Sequence, residues 1–124
     1  MDILISTSGE TPIYQQITDR IRDQILSGIL REGDALPSMR ALARDLRISV
    51  ITTKRAYEEL EREGLIVSHP GRGSFVSHGN LDRVREQKRL RIEELFRQVI
   101  REGAGYGLSP GELLEIFEQM VRSE

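Results

Sequence analysis

Isoleucine recurs at every fourth position in Ile13, Ile17, Ile21 and Ile25, with Asp19, Arg20, Arg22 and Asp23 between them. That is the period of a helix with one buried face. Thr11-Pro12 offers an N-cap with proline at the first helical position, and Ser27-Gly28 a stop, so a helix is predicted over about 12–27. Arg31-Glu32-Gly33-Asp34 is turn chemistry, and Leu36-Pro37 ends an extended link before Ser38, the next N-cap candidate. A short helix over about 39–46 places Leu42, Ala43 and Leu46 on one face. Ile48-Ser49 interrupts it, and Ser49 caps a third helix over about 50–63. There Thr53, Ala56, Tyr57 and Leu60 face inward, Ile51, Lys54, Arg55, Glu58 and Glu59 face outward, and Gly64 ends the run.

Two β-prone runs, 65–68 and 74–77, then flank His69-Pro70-Gly71-Arg72-Gly73, which predicts a hairpin with an arginine at its tip. Beyond Asn80, a polar cap candidate, a long helix is expected from Leu81 to about Glu102, with Val84, Ile92, Leu95, Phe96, Val99 and Ile100 near helical spacing. Gly103-Ala104-Gly105-Tyr106-Gly107 should break or loosen it, and Ser109-Pro110-Gly111-Glu112 reads as a capping box opening a last helix to about Arg122. Leu113, Leu114, Phe117, Met120 and Val121 line that helix. Two helices joined by a tight turn and followed by a hairpin is the order of a winged helix-turn-helix. The expected fold class is therefore α+β, mostly helical: a winged helix-turn-helix over 1–78 and a two-helix tail over 79–124.

Composition narrows this only a little. At 124 residues, 38% hydrophobic and 31% charged, the chain has about one domain's worth of sequence, and 5% aromatics leave little for a large stacking pocket. The absence of cysteine removes disulfides, thiolate metal sites and cysteine nucleophiles, and fits a reducing compartment such as the cytoplasm. The N-terminal residues lack a signal-peptide pattern and no long apolar run occurs, so neither secretion nor a membrane partner is expected. Net charge is −2, yet between Pro37 and Arg55 five basic residues (Arg40, Arg44, Arg47, Lys54, Arg55) face one acid, Asp45. Nucleic-acid binding follows such a local footprint and not the total charge.

Four stretches carry a likeness to a known family. They are Pro12–Ile17, Gly33–Ala43 (Gly-Asp-Ala-Leu-Pro-Ser-Met-Arg-Ala-Leu-Ala), Arg55–Ile66 (Arg-Ala-Tyr-Glu-Glu-Leu-Glu-Arg-Glu-Gly-Leu-Ile) and Gly71–Val76 (Gly-Arg-Gly-Ser-Phe-Val). In this order they resemble the GntR family of bacterial transcription regulators. The tail, with Gly107-Leu108-Ser109 followed by Glu112-Leu113-Leu114, is similar to the small YtrA subfamily. The resemblance implies a homodimeric repressor on a two-fold related operator in double-stranded DNA, associated with the bacterial nucleoid, with the tail making the dimer contact. Ile92, Leu95, Phe96, Val99, Leu113, Phe117 and Met120 are the expected dimerisation residues, on an apolar face with no partner nearby in sequence.

Arg40 matches the family's arginine in the second helix, where a long cation can reach a phosphate or a guanine edge. Ser38 and Ser49 sit at helix N-termini, whose free N–H groups suit a phosphate as well as a cap. Val50, Ile51, Thr52 and Lys54 form the first turns of the third helix, which meets bases in this fold. Val50 and Ile51 depart from the family's polar pattern, as Thr53 departs from its usual aliphatic residue, so no hydrogen-bond code carries over to the first two. They can pack on thymine methyls or serve ordinary packing. Lys54 reads as a phosphate contact and Arg55 as a residue of the helix flank. Arg72, between Gly71 and Gly73, is the wing tip, suited to a narrow minor groove.

Competing functions find less support. The glycine-rich segment at 103–107 follows a helix and lacks a Lys-Ser/Thr pair, so it is no phosphate loop. Two histidines, His69 and His78, and no cysteine give no metal set. No cofactor and no enzymatic activity are expected, and a small-molecule effector is left open. The alternative from another class is a winged helix that docks proteins through its amphipathic tail.

Overall fold

The structure, a computed structural model, describes residues 1–124. Its elements in chain order are α1 (Ile13–Leu26), α2 (Met39–Leu46), α3 (Val50–Arg62), β1 (Ile66–His69), β2 (Gly73–Val76), α4 (Leu81–Gly105) and α5 (Pro110–Ser123). The chain divides into two compact units, Met1–Arg85 and Glu86–Glu124. The helix-turn-helix and the hairpin lie in the first.

In that first unit the isoleucine repeat does what its spacing predicts. Ile17, Ile21 and Ile25 are fully buried with Ala56, Tyr57 and Leu60 of α3. Burying each such aliphatic side chain is worth about 1.5–3 kcal/mol. The start of α1 differs from expectation: Pro12, at ψ 149°, is itself the N-cap, and Thr11 makes no side-chain cap. An extended proline cannot begin the helix, and instead its carbonyl takes the Gln15 and Gln16 N–H groups, both at 3.1 Å. Gln16 also holds the N-terminal segment, accepting from Ser6 N–H at 2.7 Å and donating to the Ser6 and Thr11 carbonyls.

Ser38 and Ser49 cap α2 and α3, their hydroxyl oxygens accepting from Ala41 N–H (3.0 Å) and Thr52 N–H (3.1 Å). Between the two helices Arg47 adopts φ 57°, ψ 48°, the only non-glycine residue in the left-handed region. Ile48 N–H then reaches back to Ala43 O at 2.9 Å, closing the helix end in a Schellman-type bond. Arg47→Val is expected to lower unfolding free energy by about 1–2 kcal/mol relative to Arg47→Asn, because a β-branched residue tolerates this conformation worst. Urea melts of the two variants measure the difference.

β1 and β2 pair antiparallel, Ile66 opposite Val76 and His69 opposite Gly73. The segment 33–36, expected as a plain link, adds to the free edge of β2. Gly33 N–H donates to Val76 O, Val76 N–H to Asp34 O and Leu36 N–H to Ser74 O, each at 2.9 Å. That pairing ties the wing to the residues leading into α2. Tyr57 of α3 completes the tie by donating its hydroxyl to Pro37 O at 2.7 Å. Burial pushes the Tyr57 phenol above its ordinary 10.0. A raised native value means that the unfolded chain ionises first, so stability present at neutral pH should decline above about pH 10. Tyr57→Phe should remove that alkaline decline while costing about 1 kcal/mol at pH 7 for the lost hydrogen bond. Thermal melts at pH 7 and above pH 10 test both parts.

The first unit extends past residue 78 because Leu81 and Val84, in the first turn of α4, are buried in its core. Val84 therefore belongs to this core and not to a tail face. Asn80 donates from its side-chain amide to Gly64 O (3.0 Å), and Arg85 Nε to Leu26 O (3.1 Å). In the second unit α4 ends within the expected glycine-rich stretch, but three residues later than Glu102: it continues to Gly105, and the left-handed turn falls at Gly107 (φ 78°). Within the helix Gly103 leaves room for α5, since a Cβ there would stand 3.0 Å from Leu113 Cδ1. Phe96 and Phe117 meet edge to face at 5.8 Å, and both halves of the Ser109–Glu112 capping box are formed. No helix is long and apolar enough to cross a membrane.

Candidate nucleic-acid interface

The burial of Thr53, Ala56, Tyr57 and Leu60 fixes which side of α3 is free. Ile51 is 80% exposed and Val50 42%, and Lys54, Arg55 and Glu58 are exposed as well. Lys54 Nζ lies 3.9 Å from Glu58 on its own helix, a weak pairing that a phosphate can displace. The Thr52 hydroxyl shares a 2.8 Å hydrogen bond with Ser49 Oγ, which turns it toward the cap. Arg55 is engaged elsewhere: its guanidinium lies over the Tyr14 ring of α1, 3.7 Å from the centroid, in a cation–π contact. It thus stands on the α1 side of the recognition face.

Farther along the same seam Arg22 of α1 holds the C-terminal end of α3. Its Nε and Nη2 donate to the two Glu63 carboxylate oxygens at 2.9 and 2.7 Å, and Nη1 donates to Asp19 at 2.8 Å. The hydrogen bond to Glu63 raises the Arg22 pKa above the ordinary arginine value, so the guanidinium stays charged at any working pH. Arg62 pairs with Glu59 one turn back. Two carboxylates in the acidic half of α3, Glu59 and Glu63, are therefore paired within the protein.

Arg40, one residue into α2 beyond its cap, is exposed and makes no hydrogen bond or ion pair within the protein. Arg47, in the turn, is likewise an exposed cation without a partner, and the local charge count was the only sequence signal that included it. At the wing, His69-Pro70-Gly71-Arg72 forms a type II turn closed by Arg72 N–H to His69 O at 2.9 Å. Pro70 suits the second position, and Gly71 at φ 76° supplies the positive φ that the third requires. Arg72 is thereby placed at the tip, exposed and unpaired, between Gly71 and Gly73, with the strands behind it held by the Ser68–Ser74 hydroxyl pair (2.8 Å). Ser38, Arg40, Ser49, Val50, Ile51, Thr52, Lys54 and Arg55 lie on the helix-turn-helix, and Gly71, Arg72 and Gly73 on the wing that β2 pairs to its leading segment.

In the second unit, Ile92, Leu95, Phe96, Val99, Phe117 and Met120 are between 42% and 59% exposed, and α5 buries no residue at all. Leu113 differs from the other expected dimer residues, being half-buried against Gly103 within the tail. A groove of about 610 Å³ runs between α4 and α5, floored by Phe96, Val99, Phe117 and Met120.

A capped helix pair with free N–H groups and an open face, followed by an arginine-tipped hairpin, defines a winged helix-turn-helix DNA-binding protein. Residues 13–76 match the family described as bacterial regulatory proteins, gntR family. The chain belongs to that family and is a transcription regulator. It is 36% identical over 118 residues to the HTH-type transcriptional repressor YtrA of Bacillus subtilis (strain 168), spanning 95% of this chain and 91% of that protein. A transcriptional regulator from Oenococcus oeni has a similar structure, with a TM-score of 0.77 at 30% identity over 94% of this chain and 97% of the other. The chain is also similar to AraR(DBD) solved in complex with operator ORX1, with a TM-score of 0.55 at 25% identity over 62% of this chain and 96% of that one.

Proposed function

We propose that the protein is a homodimeric repressor of an inverted-repeat operator, with one winged unit on each half-site and the two-helix tails joining the copies. The observation that carries this reading is the pair of exposed, unpartnered arginines, Arg40 and Arg72, on the two elements that flank α3. Eight of the sixteen arginines, Arg62 and Arg97 among them, lie within ion-pair distance of a carboxylate, and Arg40 and Arg72 do not. Arg40 left free in the first turn of α2 and Arg72 left free at the wing tip suit an anion that comes from outside.

In this assignment Ser38 and Ser49 present helix N-termini to phosphates, Lys54 holds a phosphate, and Arg40 takes a phosphate or guanine edge. Val50, Ile51 and Thr52 face the bases, and Arg55 supports the flank from its seat on Tyr14. Gly71 and Gly73 let the backbone approach while Arg72 enters the minor groove. The apolar groove of the tail, with Leu95 and Ile92 beside it, is covered by the second copy, and Leu113 serves the α4–α5 packing instead. The reading needs no cofactor and no catalytic group, and it places the protein with the DNA, in the bacterial cytoplasm. Likeness to the repressor YtrA across nearly the full chain supports repression, and the AraR complex supports operator DNA as the ligand.

Selection of bound sequences from a random duplex library, followed by stoichiometric titration, tests the symmetry. The expected product is an inverted repeat with half-site centres about 34 Å apart, or a multiple of this, binding two chains per duplex. A single asymmetric site binding one chain would refute the dimer.

A further inference from the structure

Ile51 is the most exposed large apolar side chain of any helix or strand in the protein, and it sits in the first turn of α3 beside the half-exposed Val50. A β-branched hydrocarbon held in water at 80% exposure contributes nothing to the core of its own unit. The side chains around it also leave it the main surface of that turn. Thr52 is turned toward Ser49, Lys54 is drawn toward Glu58 one turn on, and Arg55 lies over Tyr14. An α-helix entering the major groove with such a face offers the bases hydrocarbon where hydrogen-bonding groups would otherwise stand. One feature of the major groove matches hydrocarbon: the C5-methyl group that thymine carries and unmodified cytosine lacks.

We propose that Ile51, assisted by Val50, determines sequence specificity by packing on a pyrimidine C5-methyl group in each half-site. The proposal rests on the DNA-binding reading above and adds to it the chemical group that is read. Two bases carry that group, thymine and 5-methylcytosine, so binding should respond to the methyl and not only to the base pair. Arg40 and Arg72 supply affinity through charge, which makes their contribution salt-dependent; the methyl contact should not depend on salt.

The test replaces each thymine of the selected operator, one at a time, by deoxyuridine, which removes only the methyl group. Wild-type protein should lose about fourfold in affinity at one or two positions per half-site, the value of burying one methyl. Cytosine at such a position should bind more weakly than thymine, and 5-methylcytosine should recover part of the loss. Ile51→Ala should bind the thymine and deoxyuridine duplexes equally, with an unchanged salt slope. Because Ile51 is exposed, its truncation leaves the fold intact, and Val50→Ala provides a second variant that should shrink the methyl effect. Deoxyuridine without effect at every position, or an Ile51→Ala protein that still discriminates, would overturn the proposal while leaving DNA binding standing. Failure to select any sequence would overturn the DNA-binding reading and this inference with it.

Discussion

Replacing Arg40 and Arg72 together by alanine is expected to weaken operator binding by about 2–6 kcal/mol, from two contacts worth about 1–3 kcal/mol each and treated as additive. The magnitude follows from their surroundings. Each guanidinium is exposed and free of intramolecular partners, so DNA gains its full donor set without first breaking a salt bridge. The single variants separate the roles: loss of a phosphate contact should lower affinity for every duplex and flatten the salt slope by about one unit, whereas loss of a base contact should relax preference at one position. Neither side chain supports the fold, so melts of the double variant should stay within about 0.5 kcal/mol of the parent. Unchanged affinity with this protein would remove both arginines from the interface.

The second large effect is expected in the tail. Leu95→Asp puts a carboxylate on a face where Leu95, Phe96, Val99 and Ile100 are all between 42% and 49% exposed. Monomeric proteins rarely expose so much contiguous hydrocarbon, and an unpaired charge in the dimer interface proposed for this face would be costly. The variant should sediment as a monomer and lose about 10²–10⁴-fold in operator affinity, because the second half-site becomes a separate binding event. Its helical content should persist, since Gly103–Leu113 packing, the Phe96–Phe117 contact and the Ser109 capping box do not involve residue 95. A variant that remains dimeric would place the contact on another face.

Much of this architecture was readable from local chemistry. Caps at Ser38, Ser49 and Ser109 are short-range hydrogen bonds between neighbours in sequence, and Pro70-Gly71 dictates its turn through backbone preference alone. The features that escaped are those in which distant residues decide. Periodicity places Val84 on an apolar stripe of α4 but does not say which body covers it; the structure puts it with Ile25 and Leu60. Gly33-Asp34 has turn composition, yet three hydrogen bonds between 33–36 and β2 make that segment a third strand-like edge. A glycine inside a helix reads as a break unless one knows that Leu113 lies against it. At the interface, the sequence reads Arg55 as a residue of the helix flank but gives no sign of its contact with Tyr14, forty-one residues earlier. Arg47 escaped for a different reason, since a left-handed conformation at a helix end is ordinarily signalled by glycine or asparagine.

The most direct measurement is fluorescence anisotropy of the full chain with the selected inverted repeat and with a scrambled duplex of equal composition, each at two salt concentrations. Tight binding that weakens with salt, with a preference for the inverted repeat of at least 10³-fold, is the expected result for a regulator of this class. Equal affinity for the two duplexes, or no binding to either, would contradict sequence-specific recognition by α3 and the wing.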